Sequence, residues 1–312
     1  MDERGPMTFA EVEERTNALA RSFRSIGIDE DSVVALMCRN HRGVIEATVA
    51  CAKVGADILY LDPDAVPSVL AEATWRRRPN VLIHDEDLSD RVGELVPAAR
   101  RIVAWCEPGI RHQIQTLEEL VVDAPLGSLP QVTRRSEVAF TYEPYMPATS
   151  SKLPCSLITP GTINTPLPLR RRDPILLAAP LTTRWGFLNF TLGLRFASTV
   201  VLMRNFDPEA VLGTVDDQRI AVLAVSREML VEITSLPLCR SICHDTESLN
   251  VICVPEPFLP GAIAMPAIER FGHILYNLRG TLVIKIEPEL WSRCLDPVGS
   301  RSSGGPISAA AS

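Results

Sequence analysis

VVALMCRNHRGVIEATVACAKVGADILYLDP, Val33–Pro63, is the stretch whose reading decides the fold. It opens on the β-rich apolar run Val33–Met37 and continues as an apolar helix from Val44 to Val54, closed by Gly55. It ends in a second strand, Ile58–Leu61, stopped by Asp62 and Pro63. Strand, helix and strand at crossover length imply parallel pairing, because a tight hairpin cannot join parallel neighbours.

Upstream, Thr8 and Glu11 have the spacing of a capping box, and Phe9, Val12, Leu19, Phe23 and Ile26 recur near helical period until Gly27. Downstream, the alternation continues through a helix near Val66–Ala73, a strand Val81–His84, a helix Leu88–Val96 and a strand Ile102–Trp105. Together these predict a first α/β lobe over about residues 6–123. Thr116–Arg135 reads as loop with one short helical piece, and Pro125, Gly127 and Pro130 make it the internal boundary.

The second lobe is expected over about residues 136–292. It starts with a strand at Val138–Thr141, followed by an irregular run, Tyr142–Pro174, crowded with Pro, Ser and Thr. A connection of that length inside a compact domain is usually functional or disordered. Strands at Ile175–Ala178, Thr199–Leu202, Ala221–Val225 and Val251–Val254 then alternate with helices at Trp185–Leu194, Pro208–Val215, Glu228–Ser235 and Ala262–Arg270. The expected fold class is α/β: two lobes with mostly parallel sheets flanked by helices, spanning residues 6–292. The small, polar segment 293–312 reads as a disordered tail.

The closing element, FGHILYNLRGTLVIKI (Phe271–Ile286), reads as a strand at His273–Asn277, a turn at Arg279 and Gly280, and a β-rich run from Thr281 to Ile286. Ligands of α/β sheets sit beyond the carboxyl ends of strands. That makes the turn a candidate site, offering Tyr276, Asn277, Gly280 and Thr281 but no carboxylate before Glu287.

Composition narrows the function. Hydrophobic residues make up 46% of the chain, enough for one large core or two smaller ones. Thirty-eight acidic against thirty-one basic residues leave a net charge of -7, which argues against a nucleic-acid partner. The runs Arg76–Arg78 and Arg170–Arg172 read as solvated segment ends. Eight scattered cysteines, some within apolar runs (Cys51, Cys253), suit a reduced compartment. Cys239 and Cys243 lack the second ligand pair of a zinc site. With no signal pattern and no bilayer-length apolar run, a cytoplasmic protein that does not span a membrane is expected.

Several segments, in order, resemble the adenylate-forming (AMP-binding) superfamily, and within it the fatty-acyl-CoA synthetase type. They are Thr8–Asn40, Val49–Pro63, LLAAPLTTRWGFLNFTLGL (Leu176–Leu194), RNFDPEAVL (Arg204–Leu212), LPGAIA (Leu259–Ala264) and LYNLRG (Leu275–Gly280). The resemblance runs from Thr8 to about Trp291 and implies the large N-terminal domain of those enzymes. By the same comparison the chain is expected to end before the family's ribose-binding aspartate, hinge and small C-terminal domain. The implied activity is a ligase in which a carboxylate attacks the α-phosphate of ATP and the thiol of coenzyme A then displaces AMP, with ATP, Mg²⁺ and CoA required.

Such chemistry needs a Gly-rich loop with a lysine to hold phosphates, and a carboxylate near the metal. The family's phosphate loop reads TSGTTGxPKG. By composition its counterpart is TPGTINTPLP (Thr159–Pro168), which keeps Thr159, Gly161 and Thr162 but has Asn164 for a glycine and Leu167 for the lysine. By spacing the counterpart is TYEPYMPATS (Thr141–Ser150), which keeps almost nothing. At the gate to the acyl pocket Thr182 and Thr183 replace an aromatic and a histidine, while Trp185 and Gly186 match. Pro255, Glu256, Pro257 and Phe258 fill the place of a small adenine loop. Where the family reads YGSTE, the chain has Arg279, Gly280, Thr281, Leu282 and Val283, so valine stands in place of the Mg²⁺-linked glutamate.

The expectation is therefore a degenerate homologue, a pseudoenzyme with no catalytic residue, no metal site and no required cofactor. Thr159, Gly161, Thr162, Tyr276, Gly280 and Thr281 would be remnants of a nucleotide site. Trp185 and Gly186 would border an apolar crevice for a fatty acid or acyl ligand. Residual ligase activity and a decayed gene product are the alternatives.

Overall fold

The computed structural model describes residues 1–93, 95–106, 114–129, 132, 134–141, 153–154, 168–237, 243–255, 259–279 and 282–285. The opening βαβ unit is as expected. β1 (Val33–Met37) and β2 (Asp57–Tyr60) pair in parallel through the helix Arg42–Val54, here α2. Gly55 ends that helix at φ 80°, a left-handed cap that a residue without Cβ adopts at little cost. α1 (Phe9–Ser25) starts at Thr8, and the reciprocal capping box with Glu11 is formed.

The first sheet has the order β4-β3-β1-β2-β5-β6, with β3 (Val81–Asp85), β4 (Arg101–Trp105), β5 (Glu137–Phe140) and β6 (Leu153–Pro154). β4 to β5 are mutually parallel, and β6 is antiparallel at the edge. The helices of this half are completed by α3 (Pro67–Arg77), α4 (Ser89–Val92) and α5 (Leu117–Val122). α4 is shorter than the helix expected over Leu88–Val96. A 3₁₀ turn occupies Glu86–Leu88, and Pro97, which fits poorly inside a helix, lies just beyond. The strand Glu137–Phe140 follows the Pro- and Gly-containing segment read as the internal boundary, yet it pairs with β2 in the first sheet.

The second sheet has the order β12-β11-β10-β9-β7-β8. Its strands are β7 (Ile175–Leu177), β8 (Val200–Leu202), β9 (Val222–Ala224), β10 (Val251–Val254), β11 (Leu275–Arg279) and β12 (Leu282–Lys285). Five are parallel and β12 returns antiparallel to β11. α6 (Arg184–Arg195), α7 (Pro208–Asp217), α8 (Arg227–Thr234) and α9 (Gly261–Phe271) connect them. β11 begins two residues later than the sequence suggests, because Gly272 caps α9 at φ 79° and the chain needs Gly272 to Ile274 to turn back into the sheet.

Alternation along the strands sorts this sheet into two faces. Leu176, Leu223, Ile252 and Leu275 pack with Val211, Leu230 and Ile268 of the covering helices. On the other face, Leu177 and Ala224 join one apolar core with Leu19, Val44, Ile58 and Tyr60 of the first half. The two sheets therefore share a core. An aromatic chain crosses it: Tyr60 stacks on Phe140 with centroids 5.3 Å apart, and Phe187 of α6 lies 5.7 Å from Tyr60 and 5.9 Å from Phe140.

Candidate functional site

β7, β9 and β10 end side by side, and their carboxyl ends present the face where an α/β sheet takes its ligands. The turn after β7 folds back over this face, with the amides of Ala178 and Ala179 both donating to the Ala224 carbonyl at 3.1 and 2.9 Å. Thr183 caps α6, its hydroxyl accepting from the Gly186 amide at 3.1 Å and donating to the Pro180 carbonyl at 2.7 Å. Gly186 is packed against that same turn: a Cβ there would lie 2.0 Å from the Pro180 oxygen. Its role is thus close backbone approach at the first turn of α6.

Trp185 reaches across the strand ends, its indole N–H donating to the Val225 carbonyl at 3.0 Å. It packs against a buried cluster that contains Ile175, Val222, Cys253 and Tyr276. So the fold sets Trp185 on the cluster that contains Tyr276, distant from it in sequence, while the adjacent Gly186 packs on Pro180. Thr159, Gly161, Thr162, Gly280 and Thr281 lie outside the described residues. Around the latter pair the register is clear: Leu278 faces Val283 and Arg279 faces Leu282 across the β11–β12 ladder.

The described residues at the strand ends, Ala178–Thr183, Val225, Ser226 and Pro255, include no carboxylate. A magnesium ion needs hard oxygen ligands, usually one or two carboxylates. These described residues do not fit a Mg²⁺–ATP complex. What the face does offer is an indole edge, a buried tyrosine and the hydroxyl of Thr182, which is 2% exposed and has no hydrogen-bond partner among the described residues.

A second polar constellation, not anticipated from the sequence, occupies the carboxyl ends of β1 and β3. The turn Cys38–His41 joins β1 to α2. His41 caps α2 by accepting the Gly43 N–H at Nδ1 (3.0 Å), so the ring proton sits on Nε2 and is donated to Asp85 at 2.7 Å. Asp85 also accepts from the Arg39 amide at 3.1 Å and lies 3.5 Å from Arg204 of the second half. Burial drives the Asp85 carboxyl upward, but the bonds from His41 and the Arg39 amide, with the Arg204 charge, outweigh it and hold it below the usual range. Arg204 also reaches Asp87 at 2.7 Å.

Cys38, His41 and Asp85 offer ligand atoms within 4.8 Å of one another, all buried. The arrangement nevertheless does not suit a metal. Metal ligation by Nε2 would put the ring proton on Nδ1, against the Gly43 N–H. Burial, and next the Asp85 charge, push the Cys38 thiol well above its ordinary value, away from the thiolate a metal needs. The cluster is an anchor between the halves. Its available signal was a polar run, CRNH, between an apolar strand and an apolar helix.

Asn40 of the same turn carries the tightest link between the sheets. Its side-chain amide donates to the Leu177 and Ala179 carbonyls at 3.0 and 2.9 Å and accepts the Leu181 N–H at 2.7 Å.

Residues 1–130 match the family model described as AMP-binding enzyme. That match covers less than half of the chain. It is similar to a feruloyl-CoA synthase of Amycolatopsis sp., 24% identical over 273 residues that cover 85% of this chain and 52% of that protein. A medium/long-chain-fatty-acid–CoA/3-oxocholest-4-en-26-oate–CoA ligase of Mycobacterium tuberculosis is 28% identical over 91 residues, 29% of this chain and 17% of that one. The amide bond synthetase of Marinactinospora thermotolerans shares the fold at a TM-score of 0.72 and 20% identity, over 89% of this chain and 55% of that chain. The chain thus spans about half the length of the feruloyl-CoA synthase it matches. Two five-stranded parallel sheets flanked by helices correspond to the large N-terminal domain of these structures, as expected. No described helix is long and apolar enough to cross a membrane.

Proposed function

We propose that the protein is a degenerate acid-CoA ligase homologue that keeps a strand-end crevice for an acyl or aryl carboxylic acid but does not adenylate it. The observation that carries this reading is the composition of the face itself. Trp185, whose indole reaches the Val225 carbonyl, packs on an apolar sheet-face cluster that contains Tyr276, while the described residues at the carboxyl ends of β7, β9 and β10 lack the carboxylate that Mg²⁺–ATP chemistry requires. The sequence adds Leu167 in place of a phosphate-binding lysine and Val283 in place of a metal-linked glutamate.

The names of the relatives set the ligand classes to try. One is a feruloyl-CoA synthase and another acts on fatty and steroid acids, so aromatic and long-chain acids both belong in the panel. The fatty-acyl reading is the one favoured by the segment resemblance. Acid-dependent exchange of pyrophosphate into ATP is the test. The protein is expected to give no exchange above blank with either class, while a fatty acid raises its melting temperature and ATP does not. Exchange with any acid would overturn the proposal. Val283→Glu alone is expected to leave exchange at the blank level, because the position aligned with the phosphate-loop lysine is still Leu167.

A further inference from the structure

We propose that Asn40 is a positioning residue for the strand-end face of the opposite sheet. It lies at the end of β1 in the first half, is 2% exposed, and spends both amide hydrogens and its oxygen on the backbone of residues 177–181. Those residues are not a passive contact. They are the turn whose Pro180 carbonyl receives the Thr183 hydroxyl and against which Gly186 is packed. Gly186 and Thr183 fix the first turn of α6, and that turn carries Trp185 onto the Val225 carbonyl and the Tyr276 cluster. An unbroken series of short hydrogen bonds and one backbone contact therefore runs from the β1–α2 turn to the indole.

The series is rigid at its origin. Asn40 is flanked by Arg39, whose amide is bound to Asp85, and by His41, which caps α2 and donates to the same carboxylate. Buried polar groups of this kind are costly to leave unpaired, so the turn and the 177–181 backbone hold one another in a single arrangement. An aspartate at position 40 would replace two donated hydrogen bonds by a carboxylate facing two carbonyls. Alanine would remove the donor to the Ala179 carbonyl and the acceptor of the Leu181 amide, and would leave the Leu177 carbonyl only the Met203 N–H at 3.3 Å. Either change is expected to move the β7–α6 turn and, with it, Trp185.

The consequence for a bound acid rests on the function proposed above, but the positioning itself does not, and its test needs no ligand. The chain has four tryptophans, so 5-fluorotryptophan labelling gives four ¹⁹F resonances, with Trp185 assigned by Trp185→Phe. In Asn40→Ala and Asn40→Asp the Trp185 resonance is expected to shift by more than its own linewidth, while that of Trp75, exposed on α3, stays in place. A lowered melting temperature with an unmoved Trp185 resonance would show that Asn40 acts on stability alone and would overturn the proposal. Should neither variant fold, hydrogen exchange on the unaltered protein decides. The Asn40 side-chain amide is expected to be protected to within about tenfold of the Leu181 amide, and exchange at the rate of a free side chain would contradict the proposal.

Discussion

His41 makes two bonds that fix its proton, and neither can be kept by a side chain of another shape. His41→Ala would remove the α2 cap and leave the buried Asp85 carboxylate without its strongest donor. Breaking a buried charged contact of this kind costs about 3–5 kcal/mol, and urea unfolding at neutral pH would read it as a lowered midpoint. Asp85 also predicts a pH dependence. Its folded-state pKa lies below the unfolded one, so its contribution is complete above the ordinary aspartate range and is lost as pH falls through the folded value. Cys38, His41 and Arg204 act on it through side chain or charge, and Arg39 through its backbone amide. Asp62, held up first by burial, works in the opposite sense: its ionisation costs stability as pH rises. The wild-type urea midpoint is expected to fall more steeply than that of Asp85→Asn as pH drops from about 5 to about 3. Equal slopes would count against the His41–Asp85–Arg204 arrangement.

Among elements, α6 shows how a sequence match and a structural role can diverge. Beside its match to the edge of an acyl pocket in sequence, Gly186 has a packing role, since the Pro180 carbonyl leaves no room for a side chain. Gly186→Ala is expected to destabilise the protein by about 1–3 kcal/mol through overpacking. Thr183→Ala, which removes only the cap, should cost about 1 kcal/mol. Denaturant midpoints of the two variants, compared at equal slope, check both figures, and a Gly186→Ala cost below that of the cap would contradict the close approach. Helices with strong ends were legible at this scale, because Thr8 with Glu11 and Gly55 encode their termini locally. β5 was legible as a strand but not as a member of the first sheet, since its pairing with β2 depends on a contact across 80 residues that no local pattern records.

For the whole molecule, the alternation of strands and helices sufficed to give two parallel α/β sheets, because crossover length and apolar alternation constrain topology strongly. The union of the two sheets was not legible. It depends on Leu177, Phe190, Leu202 and Ala224 joining the core of the first half, and on the polar stitch of Asn40, none of which has a sequence period. At the strand ends the packing of Trp185 on the cluster with Tyr276, and the polar contacts of the Cys38–His41 turn, depend on residues distant in sequence and carry no local pattern. A shared core also predicts one cooperative unfolding event, with far-UV circular dichroism and tryptophan fluorescence giving coincident denaturation curves. Separated curves would mean that the halves unfold independently.

We propose that the strand-end face takes an apolar acid and does not hold a nucleotide. Isothermal calorimetry of the full chain with ATP and Mg²⁺ tests it most directly. No saturable heat is expected up to about 1 mM ATP, equivalent to binding weaker than about −4 kcal/mol. A saturable isotherm with a micromolar dissociation constant would contradict it.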